Sequence, residues 1–119
     1  MVVGVSTNTF IPKEKNVLTI MAQLKVKEEM LDEYLEIASM LTAETVGKRK
    51  GCISYSFNQS IDEPTDFVLY EQWESEQDLN AHIEYLTVLL GPAKPEGFLP
   101  ERLMNMYESG QANYYKVIE

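Results

Sequence analysis

The sequence predicts an α+β domain, a four-stranded antiparallel sheet with two long helices on one of its faces. Three observations predict it. The apolar period switches between two and about three and a half in the order strand, helix, strand, strand, helix, short helix, strand. Two segments with helical spacing are long enough to span a sheet, and each ends in glycine-containing chain. The strand segments carry apolar residues on both parities, so the sheet they build needs a cover on each side.

Residues 1–15 show no periodicity and include Gly4 and Pro12, which predicts a flexible N-terminal arm ahead of a domain over 16–119. Over 17–26, Leu18, Ile20, Ala22, Leu24 and Val26 share one parity, while Val17, Thr19, Met21, Gln23 and Lys25 share the other. That is a strand with one fully apolar face and one mixed face. Met30, Leu31, Tyr34, Leu35, Ala38 and Leu41 then fall on one helical stripe, with Glu28, Asp32, Glu33 and Glu36 pointing elsewhere. No good capping residue marks the start of this helix, and its end is expected near Gly47.

Ile53, Tyr55 and Phe57 alternate with Ser54, Ser56 and Asn58 in a second strand. The turn Asp62-Glu63-Pro64-Thr65-Asp66 leads to a third strand over 67–73. Ser75 is placed to cap a second helix, with Asp78 three residues on, and Leu79, His82, Ile83, Leu86 and Leu90 along its apolar stripe. Gly91-Pro92 stops it. A short helix is expected from Pro100 through Leu103, Met104 and Tyr107 to Gly110, then a last strand over 113–118.

With right-handed crossovers, this order puts both long helices on one face of the sheet, a ferredoxin-like βαββαβ arrangement. The other face has Val17, Met21, Val68 and Tyr70 to cover. A second copy of the sheet is the expected cover, making the protein a homodimer.

Composition narrows the function. A chain of 119 residues is one domain, able to bury roughly two-thirds of its unfolded surface. The net charge of −9 argues against nucleic acid, which needs clustered cations. The one basic run, Lys48-Arg49-Lys50, is expected at the end of the first helix, where it would offset the helix dipole. The single cysteine, Cys52, cannot form an internal disulfide and reads as a small packing residue. No stretch has the length and apolarity of a membrane span, and the first fifteen residues do not read as a signal peptide, so a cytoplasmic location with no membrane partner is expected. Glycine loops for nucleotides or phosphates and the Gly-x-Ser-x-Gly elbow are missing. One His and one Cys cannot build a zinc or non-haem iron site of the usual ligands, so no metal and no cofactor are expected.

The run Phe67-Val68-Leu69-Tyr70-Glu71-Gln72-Trp73-Glu74-Ser75, followed by Leu79 and Asn80-Ala81-His82, resembles the antibiotic biosynthesis monooxygenase superfamily, as does Gly51-Cys52 opening the second strand. The shared feature is a third strand ending in Glu-x-Trp before a helix with Ala-His near its middle. The resemblance covers roughly residues 17–118 and is nearest to the quinol-monooxygenase-like branch. It implies a dimeric α+β barrel with a pocket between sheet and helices. It also implies a choice of activities: oxygenation of hydroxylated aromatics without metal or flavin, haem degradation, or cofactor-free isomerisation. Two departures stand out. Val26-Lys27-Glu28-Glu29 replaces a glycine-containing turn, and the first strand lacks the Asn of the haem-degrading branch.

Candidate site residues follow. His82, the only histidine, is either a core-edge residue held by a hydrogen bond or, with the pocket the resemblance implies, a base for a bound phenol. Glu71 shares its parity with Phe67, Leu69 and Trp73, so it is either paired in a structural ion pair or raised in pKa for proton transfer. Trp73 could stack on a flat substrate or be core, with Leu69, Leu86 and Tyr34 as further substrate-binding candidates and Tyr55 and Tyr70 behind them. The leading expectation is a cofactor-independent monooxygenase of a small aromatic quinol or polyphenol. The competing expectations are an isomerase of a small carbonyl compound and a non-catalytic dimer that binds a hydrophobic ligand.

Overall fold

The computed structural model describes residues 17–118. The arm expected over 1–15 lies outside the described residues. Strand β1 (Leu18–Val26) leads through a single 3-10 turn (Glu28–Met30) into helix α1 (Leu31–Thr45). Strands β2 (Cys52–Gln59) and β3 (Asp66–Trp73) form a hairpin, followed by α2 (Glu76–Leu90), the short α3 (Glu101–Met104) and β4 (Tyr107–Lys116). The strand order is β2-β3-β1-β4 and every pairing is antiparallel, the ferredoxin-like order expected from the sequence.

The core sits on one side of this sheet. Ile20 and Val26 of β1, Phe67 and Trp73 of β3 and Tyr55 of β2 form one buried cluster with side chains of both long helices, among them Leu41, Leu79 and Leu86. Both helices therefore cover the same face. Ser75 caps α2 as its sequence predicts, its hydroxyl accepting from the Asp78 N–H at 3.1 Å. Met30, at the start of α1, makes no side-chain cap, and the 3-10 turn tightens the entry instead.

Four expectations are corrected. Alternation puts Ile53 with Tyr55 and Phe57 on the core side, but a bulge between Cys52 and Ser54 turns Ile53 outward and leaves it 47% exposed. Cys52, opposite Trp73, packs against the core in its place. The short helix ends at Met104, not near Gly110, because Tyr107 to Ser109 already pair with Val26 and Lys25 of β1. The last strand thus begins six residues earlier than expected. The basic run lies beyond α1, which ends at Thr45, and its members go to separate partners. Lys48 is 4.0 Å from Glu44, Lys50 is 3.4 Å from Asp78, and the Arg49 guanidinium lies 3.9 Å over the Tyr85 ring.

The sheet's second face is mixed. Met21 and Val68 stand out on it at 40% and 38% exposed, with Tyr115 in register beside Thr19. Among the described residues no helix is long and apolar enough to cross a membrane.

Candidate active site

Alternation on β3 sends Phe67, Leu69, Glu71 and Trp73 toward the helices, and the 3.6-residue period of α2 sends Leu79, His82 and Leu86 down to meet them. Where the two layers do not close, a cavity of about 440 Å3 remains. Ile20, Leu69, Leu41, Ile83 and Leu86 make most of its wall apolar, and Glu71, His82 and Tyr107 bring polar groups into it. The volume and the mostly apolar wall with few polar groups suit a small organic ligand. A more open groove over Gln23, Lys25, Asp66 and Gln111 holds a Lys25–Asp66 ion pair at 3.0 Å but neither His82 nor Glu71.

His82 is 3% exposed and touches two rings, Trp73 tilted against it at 4.7 Å and Tyr55 edge-on at 5.2 Å between centroids. Neither of its ring nitrogens has a hydrogen-bond partner among the described residues. Burial, assisted by the positive charge of Arg49, lowers its pKa to about 4, so the imidazole is neutral at neutral pH. A neutral imidazole holds one donor and one acceptor, and a water or a ligand hydroxyl in the cavity can satisfy either.

Glu71 is 8% exposed, and its carboxylate oxygen accepts a 2.8 Å bond from the Trp73 indole N–H. Desolvation raises its pKa, and the indole bond opposes that rise by stabilising the ionised form. No ion pair to Glu71 occurs among the described residues. The group is therefore a buried carboxylate held by one neutral donor at the cavity wall.

Of the residues singled out in the sequence, His82, Glu71, Leu69 and Leu86 meet at the cavity. Trp73 and Tyr34 are fully buried behind its surface. Trp73 fixes the Glu71 carboxylate and backs the His82 ring, and the Tyr34 hydroxyl is 2.8 Å from that of Tyr107. Tyr107 and Tyr55 also line the cavity, and sequence reasoning missed Tyr107 because its spacing from Leu103 reads as a continuing helix. Among the described residues no three His, Cys, Asp or Glu side chains gather as a metal site would require.

A layer of helices over one face of an antiparallel sheet, with an imidazole and a carboxylate at the pocket between them, defines a class of small α+β pocket proteins. The chain belongs to the antibiotic biosynthesis monooxygenase family, whose sequence pattern matches residues 17–84. Among solved structures it is similar to a "putative antibiotic biosynthesis monooxygenase" from Nitrosomonas europaea, at 20% identity and TM-score 0.71, covering 91% of this chain and 96% of that one. It is also similar to a conserved protein from Methanosarcina mazei, at 23% identity and TM-score 0.64, covering 85% and 92%. At these identities the likeness is one of fold. A comparison with curated proteins found no match.

Proposed function

We propose that the protein is a cofactor-independent monooxygenase that oxidises a small aromatic quinol or polyphenol bound in the cavity beside His82 and Glu71. The carrying observation is His82, a neutral imidazole that lines an apolar cavity and whose two buried nitrogens have no hydrogen-bond partner among the described residues. An unused polar group in such a place costs stability, which a bound hydroxyl would recover.

The chemistry assigns the two groups different parts. Moving a proton from a phenol of pKa about 10 to an imidazole of pKa about 4 is uphill by on the order of 8 kcal/mol. The carboxylate of Glu71, with its pKa raised, closes part of that gap and is the better final acceptor. His82 orients the hydroxyl and relays its proton, and a phenolate beside it would raise its pKa in turn. The deprotonated ring then gives electrons to dioxygen, a C–O bond forms, and loss of water leaves a hydroxyquinone. One quinol and one dioxygen thus become one hydroxyquinone and one water. The protein supplies proton transfer, orientation and an apolar enclosure.

Oxygen uptake with a panel of hydroquinones tests this. The wild type should consume oxygen on at least one of them, and His82→Ala should lose most of that rate. Both proteins running at the buffer-only rate on every substrate would sink the proposal.

A further inference from the structure

Tyr107 opens β4 in register with Val26, while Glu71 lies opposite Ile20 on the same central strand. Those positions are six steps apart along β1, roughly 20 Å at the rise of an extended strand. The backbone positions of Tyr107 and Glu71 therefore lie toward opposite ends of the β1 stretch that lines the cavity, with Ala22, Leu24 and Leu69 between them.

The hydroxyls of Tyr34 and Tyr107 are 2.8 Å apart. Either could donate by distance alone, but burial distinguishes them. Tyr34 is 0% exposed, and Tyr107 is its only hydrogen-bond partner among the described residues, whereas Tyr107 borders the cavity. Were Tyr107 the donor, the Tyr34 proton would be buried with no acceptor, a penalty of about 1–3 kcal/mol. With Tyr34 donating, both its proton and one Tyr107 lone pair are satisfied, and the Tyr107 proton is left for the cavity. Both phenols stay protonated at neutral pH, since burial raises both pKa values, that of Tyr34 to about 12.

We propose that Tyr107, oriented by Tyr34, is a hydrogen-bond donor to an acceptor oxygen at the far end of the ligand from His82 and Glu71. The ligand is then an elongated, non-anionic phenolic compound, with its reacting hydroxyl at one end and a carbonyl or ether oxygen at the other. Its lack of negative charge follows from the wall, where Glu71 and Glu108 are the only charged side chains among the described residues. Tyr107 touches the ligand, and Tyr34 is a positioning residue. This assignment rests on the proposed binding of a phenol at His82, but not on its oxidation.

Two probes test it, 4-acetyl-4′-hydroxybiphenyl and 4-ethyl-4′-hydroxybiphenyl, the second lacking the acceptor oxygen. The wild type should bind the acetyl probe about tenfold more tightly by calorimetry, the size of one good hydrogen bond. Its carbonyl stretch should move to lower wavenumber on binding. Tyr107→Phe should abolish both the preference and the infrared shift while keeping affinity for the ethyl probe, and Tyr34→Phe should weaken the shift. A preference and a shift that survive Tyr107→Phe overturn the assignment, as does failure of the wild type to bind either probe. Oxygen uptake separates the two proposals. Turnover of hydroquinones without any acetyl preference removes Tyr107 and leaves the oxygenase standing, and an acetyl preference without turnover does the reverse.

Discussion

His82 loses nearly all its contact with solvent when the chain folds, and its titration follows from that loss. The unfolded histidine takes a proton near pH 6.5, and the folded one only near 4. Between these values the unfolded state binds more protons, so stability is fully present above about 6.5 and falls as the pH drops toward 4. From pH 7 to pH 5 the loss from this residue alone is about 2 kcal/mol. His82→Phe should remove that part of the pH dependence, so urea midpoints at the two pH values should lie closer together than in the wild type. Equal spacing in both proteins would contradict a buried neutral imidazole. Glu71 works in the other direction, since its raised pKa weakens the fold as the pH rises through it. That His82 and Glu71 stand out was legible in the sequence, because a lone histidine in an apolar stripe and a glutamate in an apolar parity are both anomalies. The hydrogen bonding of Trp73 and Tyr34 was not, because each contact depends on where a neighbouring side chain ends rather than on periodicity.

At the scale of the elements, the entry to β2 fixes how α2 sits over the sheet. Gly51 has φ +81°, a conformation that costs a side-chain-bearing residue about 1–2 kcal/mol. Its carbonyl accepts from the Glu74 N–H at 2.8 Å, and a methyl group added to it would run into the Asp78 side chain in the first turn of α2. Gly51→Ala therefore carries both backbone strain and a clash at the helix that holds His82. We expect a stability loss of about 2–4 kcal/mol in denaturant titration, larger than that of Gly47→Ala, where a methyl would meet nothing. A loss equal at the two positions would mean that the Asp78 contact is unimportant. The bulge beside Gly51 explains why alternation misplaced Ile53, for a single inserted residue reverses the parity of all that precedes it in the strand. The early start of β4 has a similar cause. Leu103, Met106 and Tyr107 keep helical spacing, yet pairing with β1 satisfies the backbone from Tyr107 onward and overrides it.

For the whole molecule, the unanswered side of the sheet matters most. Met21 lies in register with Tyr70 on β3 and Asn113 on β4, so the middle of the second face offers apolar and aromatic surface beside polar groups. We propose that a second copy covers it, and sedimentation at micromolar concentration should find a homodimer. Met21→Lys should shift that protein toward the monomer, and a wild type that sediments as a folded monomer would end the proposal. The periods of two and 3.6 in the sequence determined the order of strands and helices and the side of the sheet that carries the core, because burying apolar surface requires those spacings. Tertiary structure alone decided which polar groups face empty space. Alternation can bring His82 and Glu71 to the same layer boundary, but only the packing of the helices against the sheet determines whether that boundary closes or leaves a cavity.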